Sequence, residues 1–119
     1  MSNVDLQTYK KLQDIVLPPL ALKPTSVTEG QAEASEVLWT SANGKVQMGI
    51  WECSPGRFAS DHSDTSEIVH IISGEVELQR NDGELRRLGP GDALVLPRGW
   101  RGEWHIIQHV RKFWVVQYD

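Results

Sequence analysis

After Glu36 the chain becomes a series of short β-prone runs parted by turn residues: 37–40, 45–53, 67–73, 75–80, 93–96, 102–108 and 112–118. No other feature limits the possible folds as much. Runs of this length, enriched in Val, Ile, Trp and Phe, are strands, and their spacing predicts antiparallel β-structure. Asn43-Gly44 and Asp82-Gly83 have the composition of tight hairpins that need positive φ, and Gly89-Pro90-Gly91-Asp92 marks a longer turn between sheet segments. The expectation is an all-β barrel or sandwich.

Upstream of these strands the texture differs. From Asp5 to Val16 the apolar residues Leu6, Tyr9, Leu12, Ile15 and Val16 recur at helical spacings, which predicts one short helix ended by Pro18-Pro19. Residues 17–34 are rich in Pro, Thr, Ser and Glu and lack periodicity, so they read as an extended arm lying on the barrel or on a second subunit. The 119 residues are a single-domain length. They divide into a helix and arm over 1–35 and a barrel over 36–119.

Composition removes several function classes. The chain has no apolar run of the ~18 residues that a membrane span requires. Its first residues, MSNVDLQTYKKLQD, carry charges where an export signal would carry its apolar segment. The expected compartment is the cytoplasm. A net charge of -4 and arginines interrupted by acids and turn residues leave nothing to neutralise a phosphate backbone, so no nucleic acid and no membrane partner is expected. The lone Cys53 has no His or second Cys beside it and reads as a buried, inert thiol.

The sharpest chemical feature lies between Gly56 and Gly74, where His62, Asp64 and Glu67 fall within six positions. Residues two apart in an extended segment point to one side, so His62 and Asp64 would face one cavity, and a bend near Thr65-Ser66 would bring Glu67 to them. One imidazole and two carboxylates suit Mn, Fe, Ni or Zn, and three ligands leave positions open for a substrate. The polar run 61–66 is also what an ordinary solvated loop looks like, so a metal-free site is the alternative. Alternation sends His70 to the opposite face, as a packing or interface residue. His105 and His109, four apart near a strand end, read as structural.

A second block, Gly91 to Trp100, combines a turn, an apolar strand and a Pro-x-Gly corner. Together the two blocks resemble the cupin family. Gly56, His62, Glu67 and Gly74 match its first motif, with Asp64 where the second His would stand and a gap to Glu67 one residue short; Gly91, Pro97 and Gly99 match the second, with Gly102 in the place of its His. The segments 49–58 and 98–104, with Arg111-Lys112-Phe113, resemble the small single-domain subgroup related to the cupin halves of ureidoglycine aminohydrolase and to the ethanolamine-utilisation cupin. The resemblance covers roughly residues 36–118. It implies a double-stranded β-helix, or jelly-roll, barrel with an incomplete metal site, and a homodimer with His70, Ile68 and Ile72 on the contact face.

Two functions stand nearly level on this reading. One is a binding module in which Trp51, Phe58 and Trp104 wall a cavity while His62, Asp64 and Glu67 hydrogen-bond a small polar or cationic molecule. The other is a metal-dependent enzyme acting on a small nitrogenous compound by hydrolysis or deamination, with the metal on His62, Asp64 and Glu67. A purely structural protein ranks behind both. No residue is assigned a catalytic role.

Overall fold

Two strands run much further than the sequence runs suggest. The structure, a computed structural model, describes residues 4–119. Its strands are β1 (Ala21–Leu22), β2 (Ala32–Thr40), β3 (Val46–Cys53), β4 (Gly56–Asp61), β5 (Thr65–Arg80), β6 (Leu85–Leu88), β7 (Ala93–Leu96) and β8 (Arg101–Tyr118). The runs 67–73 and 75–80 are one strand, as are 102–108 and 112–118. β5 and β8 pair antiparallel along their whole length, from Thr65 opposite Tyr118 to Arg80 opposite Gly102.

Their common bend makes the barrel. The register shifts three times between Ile71 and Val76, and Gly74 sits there at φ 89°. A Cβ at Gly74 would lie 2.2 Å from the His109 carbonyl oxygen, so only glycine permits the close crossing. Beyond the bend each long strand changes neighbours. The first half of β5 and second half of β8 lie in a sheet ordered β1-β2-β3-β8-β5-β7; their other halves lie in a sheet ordered β4-β8-β5-β6. Alternate residues of both sheets point inward and form one core containing Trp51, Phe58, Ile71, Leu78, Trp104 and Ile106. This is an all-β jelly-roll, as expected.

The helix expected over 5–16 is not formed: the segment holds a single 3-10 turn, Leu12–Asp14, preceded by Lys11 in the left-handed region at φ 51°. A helix of that length is marginal in water unless an apolar face is buried, and Leu6 and Val16 are each 87% exposed. The chain is instead pinned in extended form, with Tyr9 Oη donating to the Leu38 carbonyl and Arg111 Nη1 to the Leu12 carbonyl, each at 2.8 Å. The arm over 17–34 lacks helix, yet it supplies β1 and the start of β2, where Glu33 pairs with Cys53.

Strands β4 and β6 add to the expected runs; their sequences, GRFASD and LRRL, show too little apolar alternation to signal a strand. Gly44 takes φ 72° in the β2–β3 hairpin as expected. Neither Asp82 nor Gly83 has positive φ; that turn closes by Gly83 N–H donating to the Arg80 carbonyl at 3.1 Å. Among the described residues no helix is long and apolar enough to cross a membrane.

Candidate ligand pocket

β3, β8 and β5 place Trp51, Lys112 and Ile71 side by side, all facing into the barrel. A lysine there is out of place unless paired. Lys112 Nζ donates to Glu67 Oε2 at 2.7 Å, and both residues are buried. The same ammonium lies 4.5 Å from the centroid of Trp51 and 4.6 Å from that of Trp104, where the negative faces of the indoles favour a cation. Trp104 stacks on Phe58 at 5.9 Å, and Trp51 meets both rings edge-on. From the arm, Lys23 Nζ sits 4.2 Å from the centroid of Phe58 and 2.9 Å from Glu33 Oε1. Glu33 also accepts from Trp51 Nε1 at 2.8 Å. The expected aromatic residues Trp51, Phe58 and Trp104 thus come together, but their faces already carry two lysines.

His62 enters the site from the turn after β4. Its N–H donates to the Trp100 carbonyl and its own carbonyl accepts from Gly99 N–H, tying the turn to the Pro-x-Gly corner. The ring sets Nδ1 3.1 Å from Thr65 Oγ1 and Nε2 3.9 Å from Glu67 Oε1. Burial, more than the nearby Lys112, pushes the His62 pKa below its ordinary value, with Glu67 and Asp61 opposing. Asp64 is exposed in the turn and does not join them: among the described residues no three His, Cys, Asp or Glu side chains gather as a metal-ligand set.

The remaining ligand position is closed as well as empty of a donor. A Cβ on Gly102 would lie 2.7 Å from Cη2 of Trp100 and 2.3 Å from the Gln79 carbonyl oxygen. Trp100 therefore fills the space a ligating side chain would cross, and its ring rests 6.3 Å from that of His62. With Glu67 neutralised by an ammonium, Asp64 on the surface and Gly102 covered, these residues do not fit a divalent transition metal.

What the barrel does offer is a shallow, open cavity of about 190 Å³ lined by Ser35, Trp51, Glu67, Lys112, Trp114, Val116 and Tyr118. Trp104 and Phe58, expected as walls, are buried in the core at 1% and 6% exposure and are not among its lining residues. No local pattern singles out Lys112 as a pocket residue, because both faces of β8 carry apolar residues there. The available signal was its period-two alignment with Trp114 and Val116. A larger hollow of about 470 Å³ lies between β6 and β7 over Leu78, Leu88 and Leu96, but its rim arginines are held locally, Arg80 by Asp82 and Arg86 by Glu84. At the barrel mouth Arg98 pairs with Asp119, and Arg101 with Asp61.

Four further residues lie outside the pocket chemistry. His70 is on the outer face opposite Phe113 and Ala93. His105 lies beside Glu77 and His109 beside Glu52. Cys53 is fully buried, and burial pushes its thiol up to about 11, which leaves it protonated and unreactive at neutral pH.

The profile of the EutQ-like cupin domain matches residues 40–114. The chain belongs to the EutQ-like cupin family. This cupin is similar in structure to the EutQ protein of Clostridium difficile, at a TM-score of 0.67 and 17% identity over 76% of this chain and 66% of that one. A putative ethanolamine utilization protein of Salmonella typhimurium gives 0.64 and 23% over 73% and 70%. A protein of unknown function from Pseudomonas syringae pv. tomato gives 0.72 and 20% over 86% and 43%. The chain thus spans 66% of the length of Clostridium EutQ. At these identities the likeness speaks for the fold, which hosts many chemistries. No curated protein matches the chain significantly.

Proposed function

We propose that this cupin is a binding module that takes a small polar molecule, without metal, in the cavity above Lys112 and Glu67. One observation carries the reading: a buried ammonium–carboxylate pair at the base of an aromatic-walled cavity. An ammonium has three N–H donors, and Glu67 takes one. The others suit a carboxylate or carbonyl oxygen, while Trp51 and Trp114 supply apolar contact. A cationic ligand is disfavoured, since Lys112 and Lys23 hold the aromatic faces it would need. The metal-dependent hydrolase reading requires a ligand set these side chains do not form.

Succinate, benzoate and choline, tested by thermal shift and calorimetry, separate the possibilities. Stabilisation by a carboxylate that is lost in Lys112→Met supports the reading. Stabilisation by choline and by neither carboxylate overturns it. We further propose a homodimer through the outer face of the first sheet, where Ile68 and Val95 are register partners 55% and 63% exposed and Val115 and Met48 continue the row.

A further inference from the structure

We infer that Lys112 is a built-in cation that makes this pocket metal-independent, occupying with its ammonium the place at Glu67 that a metal would otherwise take. His62 and Glu67 stand at ligand positions of the cupin motif, and the structure keeps their side chains within 3.9 Å of each other. Glu67 Oε2, however, is engaged by Lys112 Nζ at 2.7 Å. A divalent ion bound to that carboxylate would sit beside an ammonium in a site shielded from water, where like charges repel most strongly. Nor is the lysine free to swing away. Its charge is held over the faces of Trp51 and Trp104, and leaving would strand Glu67 as an unpaired buried carboxylate.

The two losses in the motif belong with this substitution. Trp100 fills the space over Gly102, so no fourth ligand competes with the lysine. Asp64 has turned out to the surface, so the interior carries one carboxylate for one ammonium at this point and no surplus negative charge. The inference concerns the same pocket as the binding reading but does not depend on any organic ligand: a failure to bind carboxylates leaves it standing, and metal uptake overturns it whether or not a carboxylate binds.

The test is metal loading of the full chain. Wild-type protein and the Lys112→Met, Lys112→Arg, Glu67→Gln and Lys112→Met/Glu67→Gln variants are incubated with Ni²⁺ or Zn²⁺, desalted without chelator and assayed for metal. Ni²⁺ titration is also followed by tryptophan fluorescence, since Trp51 and Trp104 border the site. We expect no saturable quenching in wild type or Lys112→Arg, quenching in Lys112→Met, and its loss when Glu67→Gln is added. Retention of about one equivalent by wild type that Glu67→Gln removes overturns the inference. So does a folded Lys112→Met that takes up no more metal than wild type. Should Lys112→Met fail to fold, Lys112→Gln, which can still donate a neutral hydrogen bond to Glu67, makes the same comparison.

Discussion

Glu67 and Lys112 hold each other in a part of the barrel where neither charge is stable by itself. Their side chains are 9% and 10% exposed, so the energetic weight lies in the cost of breaking the pair, not in its net worth. Glu67→Ala or Lys112→Met alone should destabilise the fold by about 3–5 kcal/mol, and the double substitution Lys112→Met/Glu67→Met by distinctly less than their sum. A double-mutant cycle of urea unfolding checks this; additive losses would show that the pair is not coupled. His62 contributes in the opposite direction with pH. Its folded pKa lies below the ordinary 6.5, chiefly through burial, so the unfolded chain binds the proton more readily. Its contribution is whole above 6.5 and drains away as pH falls through the window beneath it. The loss of stability between about pH 7.5 and about pH 5.5 should be smaller in His62→Gln than in wild type, as read from urea midpoints. An equal loss in both would remove His62 as the source.

The elements that position the site are the two bent strands, and the bend depends on Gly74. With φ at 89° and the His109 carbonyl 2.2 Å from where a Cβ would be, Gly74→Ala combines backbone strain with a clash that β8 must move to relieve. It should cost more than about 2 kcal/mol. Gly30→Ala, also at positive φ (79°) but with nothing within 4 Å, should cost less, near the lower limit of about 1 kcal/mol for such strain. Thermal unfolding of the two variants separates clash from conformation. If they fall equally, close packing of β5 on β8 is not what holds the bend. The arm is the second element that matters: by bringing Lys23 onto Phe58 and Glu33 onto Trp51, it completes the aromatic cluster from outside the motif-bearing strands.

For the whole molecule, the first sheet has one face turned to the core and the other carrying Ile68, Val95, Val115 and Met48 in one cross-strand row. Ile68 and Val95 are exposed and Val115 and Met48 half-buried, and apolar side chains aligned this way suit a self-complementary contact. The double substitution Ile68→Lys/Val95→Lys should shift the proposed dimer to monomer in light scattering while its unfolding curve as a monomer stays cooperative. A mass unchanged by the substitutions would place any self-association elsewhere.

The residue order alone was enough for the all-β class, the family and most strands, because alternation, turn glycines and the Gly56–Gly74 and Gly91–Gly99 spacings are local signals. It also brought forward Trp51, Phe58, Trp104, His62 and Glu67 as candidates. It did not show that residues 5–16 stay extended, since helical periodicity forms a helix only where a surface buries it. Nor did it show which carboxylate meets which cation. Lys112 is 45 residues from Glu67, and only the register of β5 on β8 brings them together. Whether a buried carboxylate faces a metal or an ammonium is decided by long-range pairing that no local pattern encodes.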